Sequence, residues 1–218
     1  MVELPILPLR ERVLFPKCDI SIHVAQDTFS RSLHPAFLSN QPLGLIFAPK
    51  DQDGFEVKNN GKKVGCLGRV EGLEKIGFGR FILKIRGVRK FKVQRIIQDF
   101  PLLSVQPDYL EDEDFLWTKA EKIRAAGHLK NDLKKYSQHV LKLDANQWFQ
   151  KFETLNLERL INQAASYLDV DLLDKQRLLE ISSLEKRFHF IKRLLDESLA
   201  FLKFLEHRDY ASLNPILN

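Results

Sequence analysis

"GRFILKIRGVRKFKV", residues 79 to 93, alternates in character through its first half: Phe81, Leu83 and Ile85 are apolar, and Arg80, Lys84 and Arg86 are basic. Successive side chains leave a strand on opposite faces, so this spacing predicts a strand with one core face and one basic face. Gly87 interrupts the run and predicts a bulge or tight turn, after which Phe91 and Val93 alternate with Lys90 and Lys92. No acidic residue falls between Lys75 and Gln98. Such a ribbon could lie against phosphates, but a solvated edge protected by lysine and arginine has the same sequence pattern.

The same strand grammar extends upstream, in "ISIHV" (20 to 24), "LGLIF" (43 to 47), "FEVK" (55 to 58) and "VGCLGRVEGL" (64 to 73). "NNGK" (59 to 62) predicts a hairpin turn, because Asn and Gly tolerate positive φ, and "IGFGR" (76 to 80) predicts a second. "FSRSLHPAFLSN" (29 to 40) offers a helical turn or two, broken by Pro35. The opening "LPILPLRERVLFP" (4 to 16) is apolar yet carries Pro5, Pro8 and Pro16. Proline donates no backbone hydrogen bond, so this segment is expected at a sheet rim, pairing only where it has an N–H to give.

After about residue 110 glycine becomes rare and apolar residues recur every three or four positions, the period of helices. "NLERLINQAASYL" (156 to 168) and "DVDLLDKQRLLEI" (169 to 181) predict short helices, the second with Asp171 as N-cap. "SSLEKRF" spaces Ser182 and Glu185 as a capping box, opening a long helix to about His207. That helix carries two apolar stripes: Leu184, Phe188, Ile191, Leu195, Leu202 and Leu205, and beside them Phe190, Leu194, Phe201 and Phe204. One stripe suffices for a surface helix, so the second needs another partner. Either Trp148, Phe149, Leu160 and Tyr167 cover it, or it is an apolar strip rimmed by Lys192, Arg193, Glu197 and Lys203 and suited to a bound polypeptide segment or a second copy of the chain.

With 218 residues, 44% hydrophobic and 29% charged, the chain can bury a core as one large or two small domains. No basic and apolar leader opens it, and no run approaches the roughly 18 apolar residues of a membrane span, which points to the cytoplasm. Cys18 and Cys66 have no Cys-x-x-Cys neighbour and are expected to be buried, inert thiols. The net charge of +5, from 34 basic and 29 acidic residues, is compatible with a nucleic-acid partner without requiring one. There is no phosphate-binding Gly-x-x-x-x-Gly-Lys-Ser/Thr loop, Gly-x-Ser-x-Gly elbow or His-Glu-x-x-His, and the six histidines lack ligand spacing. His189, four residues after Glu185, reads as a helical contact rather than an acid-base pair, since no nucleophile is placed beside it. No catalytic residue, cofactor or metal site is therefore expected.

The opening phrase, the stretch "VGCLGRVEGLEKIGFGRFILKIRGVRKFKV" and the downstream "DKQRLLEISSLEKRFHFIKRLLDE" resemble, in that order, the N-terminal substrate-binding domain of Lon proteases. Leu4, Pro5, Leu7, Pro8, Leu9, Arg10, Phe15 and Pro16 match its opening phrase, and Val64 and Gly65 its valine-glycine strand start. Gly87 to Phe91 depart from its Gly-x-x-Arg-Phe phrase through the interposed Lys90. The resemblance implies a PUA-like, mostly antiparallel β-barrel followed by a helical bundle ending in a long helix, an α+β fold. The expected partition is barrel over 1–110 and bundle over 111–218, packed together because no Gly/Ser/Pro-rich linker separates them.

The resemblance also implies a non-enzymatic module that binds polypeptide segments and acts in protein quality control, with no ATPase or Ser-Lys protease part in these residues. Phe190, Leu194, Phe201 and Phe204 are the candidate docking residues, with self-association through the long helix as a second use of the strip. PUA-like barrels of other families bind RNA. The alternative is accordingly an RNA-binding face made by Arg80, Lys84, Arg86, Lys90 and Lys92.

Overall fold

A computed structural model describes residues 3–25, 41–49, 63–77, 79–99, 102–141, 150 and 152–213. Among the described residues, six strands, β1 (Leu4–Leu9), β2 (Asp19–Ala25), β3 (Leu43–Phe47), β4 (Val64–Gly77), β5 (Arg80–Gln98) and β6 (Ser104–Leu110), precede the four main helices. These are α1 (Lys119–Tyr136), running on as a π-helical turn over Ser137–Leu141, α2 (Leu157–Tyr167), α3 (Leu172–Glu180) and α4 (Leu184–Leu213). The stretches 29–40 and 55–62, with the "NNGK" turn, lie outside the described residues.

The chain forms two compact units, one of Met1–Glu113 with Asp171–Ser182 and one of Asp114–Val170 with Ser183–Asn218. In the first, the strand order β2-β5-β4-β3-β1-β6 closes on itself, because β6 pairs with β5 as well as with β1. The long β5 makes this possible: residues 80–86 pair with β2, and residues 90–98 pair with β6. The "IGFGR" hairpin forms as expected, with Gly77 opposite Arg80 and positive φ at Gly77 and Gly79. Leu4, Ile6, Ile46, Leu67, Phe91, Val93 and Val105 make one apolar cluster. Leu7, Leu9, Leu43, Leu45, Cys66, Leu83 and Ile85 belong to another. Neighbouring residues of β1 go to different clusters, so both faces of the strands are covered.

The proline-rich opening is more deeply placed than a rim. β1 runs parallel to β3 from Ile6 to Leu9 and meets β6 only at Leu4 and Pro5. The N–H of Ile6 donates toward β6, to Leu103 O at 2.8 Å. Amides alternate sides, so Pro8 turns its missing N–H the same way, past the end of the β6 ladder, while Pro5 turns toward β3 just before that ladder begins. Each proline therefore stands where pairing asks for no donor.

The opening ends in a turn: Cys18 N donates to Phe15 O (3.2 Å), with Pro16 second and Lys17 third at φ 62°. Lys17 N donates to Gly87 O and Gly87 N to Cys18 O, both at 2.8 Å, so two residues oppose one in a bulge whose left-handed position is usually glycine. Left-handed backbone costs an L-residue roughly 1–2 kcal/mol, against about 0.4–1 kcal/mol of extra unfolded-chain freedom for glycine. Lys17→Gly is expected to raise the urea midpoint, by about 1 kcal/mol of stability; a lower midpoint would show that the lysine side chain contributes more than the backbone costs.

Cys18 and Cys66 are both buried, as expected. Burial, with Asp19 adding to it, pushes the Cys18 thiol up to about 12, and burial raises Cys66 as well. Neither supplies a thiolate at neutral pH.

The helix α3 belongs to the strand unit although its sequence lies among the helices. Gln176 Nε2 donates to Val64 O (3.0 Å), Lys90 Nζ to Ile181 O (3.0 Å), and Glu113 N to Ser182 O (3.1 Å). Asp171 caps α3 as expected, accepting from Leu173 N at 2.7 Å. The capping box anticipated at Ser182 and Glu185 is displaced: α4 starts one residue later, with Ser183 accepting from Lys186 N at 3.3 Å. A full capping box does occur at α1, between Thr118 and Glu121. In the second unit α1, α2 and α4 bury Leu129, Leu133, Leu160, Ile161, Ile191 and Leu195.

Candidate functional site

The first half of α4 is core. Leu184, Phe188, Ile191 and Leu195 are buried, and so is Leu194 at 6% exposure. Arg187 is fully enclosed and donates to the equally buried Asn162 Oδ1 at 2.9 Å. Lys192 is held by Asp132 and by Asp196 (3.5 Å). His189 packs its ring edge-on to Trp117 (5.8 Å between centroids) and Phe188 (5.5 Å). Trp117 also stacks on Phe115 at 4.8 Å, a cluster that apolar periodicity does not single out. Its only signal was aromatic spacing ahead of the α1 cap.

The second half of α4 differs. Phe201 is 61% exposed, Phe204 55% and Leu205 40%. The expected docking strip therefore divides. Leu194 turns into the core, and Phe190 is half-buried with the Arg193 guanidinium 4.6 Å over its ring. Phe201 and Phe204 remain on the surface beside Leu205, which the helical period had assigned to the core stripe. Leu160 is buried, Tyr167 is 42% exposed, and Trp148 and Phe149 lie outside the described residues. Two aromatic rings and a leucine within five residues of one helix make an apolar surface group, with Lys203 exposed among them.

The basic ribbon does not form one face. Leu67 opposes Arg89 and Gly68 opposes Gly87, which leaves Val88 without a counterpart. That extra residue reverses the alternation. Leu83 and Ile85 consequently join one apolar cluster while Phe91 and Val93 join the other. Arg80, Lys84 and Arg86 lie opposite the first cluster, whereas Lys90, across from Cys66 of that cluster, and Lys92 point toward its side. Lys90 is 2% exposed and bonds Asp112 at 2.5 Å, so it offers nothing to phosphate. Arg86 is held by both Asp19 oxygens (2.8 and 2.9 Å), and Lys84 is 3.7 Å from Glu74. Arg80 is exposed and Lys92 half-buried. No group of three or more His, Cys, Asp or Glu converges among the described residues in a way that could hold a metal ion, and no described helix is long and apolar enough to cross a membrane.

A closed, mainly antiparallel sheet followed by helices, ending in a thirty-residue helix, defines an α+β domain of recognisable kind. The family model for the substrate-binding domain of the ATP-dependent protease La (LON) matches residues 3–197, and the chain belongs to that family. Lon protease 2 of Myxococcus xanthus is 26% identical over 212 residues, 95% of this chain and 25% of that protein. The Lon protease of Cytophaga hutchinsonii is 25% identical over 206 residues, 92% of this chain and 25% of that protein. The chain spans about a quarter of the length of these curated relatives. Two solved structures share the fold. The N-terminal domain of the Mycobacterium avium complex Lon protease aligns with a TM-score of 0.70 at 16% identity, covering 89% of this chain and 98% of that one. The Lon N-terminal domain protein from Xanthomonas campestris gives 0.61 at 19% identity, covering 87% and 96%.

Proposed function

We propose that the chain is a non-enzymatic recognition module that binds unfolded or apolar polypeptide segments in the cytoplasm, in the service of protein quality control. Membership in a family of substrate-binding domains supports it, and the observation that carries it is the exposed group Phe201, Phe204 and Leu205 on α4. An exposed aromatic group of this kind gives a partner's apolar side chains rigid rings to pack on at small entropic cost. Phe190 lies about three turns earlier on the same helix, under Arg193, and Leu194 supports the helix from within. The RNA-binding alternative loses its main support with the burial of Lys90 and the pairing of Arg86.

The test is binding of fluorescein-labelled casein, a natively unfolded chain, followed by anisotropy without nucleotide. The wild type is expected to bind. Phe201→Ser with Phe204→Ser should weaken binding about tenfold or more while changing stability by no more than about 0.5 kcal/mol per site, as for exposed positions. Leu194→Ala, by contrast, should cost about 2–5 kcal/mol as a core truncation. Absence of casein binding by the wild type, or a double variant that binds normally, would defeat the reading.

A further inference from the structure

β1, β4 and β2 each have an edge that lacks a neighbour among the described residues, and the first two are blunted. Beyond Leu4 and Pro5, β1 pairs with no strand on the β6 side; Ile6 N donates there to Leu103 O, and Pro8 removes the next donor. From Val70 to Gly77, β4 pairs with β5 alone, and it carries Glu71, Glu74 and Lys75 together with register shifts at Val70/Gly72 and Lys75/Gly77. Charges, prolines and bulges are the usual means of preventing a sheet edge from recruiting another strand.

The third edge has none of these within its ladder. β2, "DISIHVA", pairs with β5 in unbroken register from Asp19 to Ala25 and ends the strand order. It holds no proline, glycine or lysine, and its one charged residue, Asp19, is engaged by Arg86. Cys18 O accepts from Gly87 N at 2.8 Å, so the backbone of Cys18 faces β5. By the two-residue alternation Ile20, Ile22 and Val24 face it too, and the N–H and C=O groups of Ser21, His23 and Ala25 point outward.

We infer that the outer edge of β2 receives an extended polypeptide segment as an added strand. Donors and acceptors repeating every second residue are complementary to polypeptide backbone, and main-chain pairing gives affinity independent of the segment's sequence. The surroundings set a preference. On one face the added strand lies next to Ile20, half-buried Ile22 and Val24, with half-buried Phe81 behind them, which selects apolar residues at alternate positions. On the other face it lies next to Ser21 and His23, with exposed Arg80 and Lys84 one strand further in, which favours polar or acidic ones. The inference rests on the polypeptide-binding reading and adds to it a site on the strand unit.

The probe is a labelled nine-residue peptide alternating valine and glutamate, compared with the same peptide N-methylated at alternate amides, with casein run alongside. Wild-type protein should bind the first peptide and not the methylated one. His23→Pro, which removes only an outward N–H, should weaken binding about tenfold, the size of one lost backbone hydrogen bond with its neighbours disturbed. In the unaltered protein, hydrogen exchange at the Ser21 and His23 amides should be fast when free and slowed by the peptide. Slow exchange in the free protein, equal binding of the methylated peptide, or casein binding without peptide binding would overturn the β2 site while leaving the general reading intact. If neither casein nor peptide binds, both fall.

Discussion

Lys90→Met is expected to destabilise the protein by about 3 kcal/mol, seen as a lowered urea midpoint with the strand unit unfolding first. Methionine nearly matches the length and volume of lysine, so the cost is not that of a cavity. It comes from what stays behind. The Asp112 carboxylate, 15% exposed, loses the cation 2.5 Å from it, and Ile181 O loses a donor at 3.0 Å. Removing one partner of a buried pair typically costs about 3–5 kcal/mol, and the residual access of Asp112 to water places this case at the lower end. Asp112→Asn in the Lys90→Met background should recover part of the loss, because it removes the charge that Lys90 had faced. A cost below about 1 kcal/mol, the value of an exposed pair, would show that Lys90 is solvated after all. The same substitution should loosen α3, whose C-terminal end Lys90 holds through Ile181, and amide exchange over Leu172–Glu180 should rise.

Lys90 also shows where sequence stops being informative. The alternation in residues 79–93 identified the strand, its apolar residues and the bulge near Gly87, because those are local properties of the backbone. Which face Lys90 takes depends on a single unmatched residue, Val88, and no pattern distinguishes a lysine that reaches Asp112 twenty-two positions later from one that reaches water. The parallel pairing of β1 with β3 was equally hidden, since nothing within either strand encodes a neighbour some forty residues away. The two stripes on α4 were read correctly as apolar. Periodicity reports chemical character along the whole helix, whereas burial requires neighbours of equal length, and these extend to Leu195 but leave Phe201, Phe204 and Leu205 at the surface. The outer edge of β2 left no trace in composition, because an edge is defined by which strands pair with it, and among the described residues only β5 does.

Gly87→Ala should cost about 4 kcal/mol, from overpacking of roughly 1–3 kcal/mol and the loss of two backbone hydrogen bonds at about 1 kcal/mol each. A β-carbon there would fall on the carbonyl oxygen of Phe15 and lie 3.2 Å from Cys66 Sγ. The obstruction is backbone and cannot rotate away, so the Phe15–Cys18 turn must move off β5. That movement breaks Lys17 N to Gly87 O and Gly87 N to Cys18 O together, the two bonds by which the opening segment is fastened to the central strand. Gly72→Ala is the control within the same hairpin: its β-carbon would meet only Lys84 side-chain carbons at 3.6 and 3.7 Å. Such contact is ordinary, and replacing glycine by alanine inside a strand should be neutral or stabilise by up to about 1 kcal/mol. Equal urea midpoints for the two variants would mean that Phe15 does not sit against Gly87 and that the turn after Leu14 is anchored elsewhere. A loss confined to Gly87→Ala, accompanied by newly reactive Cys18 and Cys66 thiols, would show that this contact keeps the bulge, the two buried cysteines and the start of β2 in place.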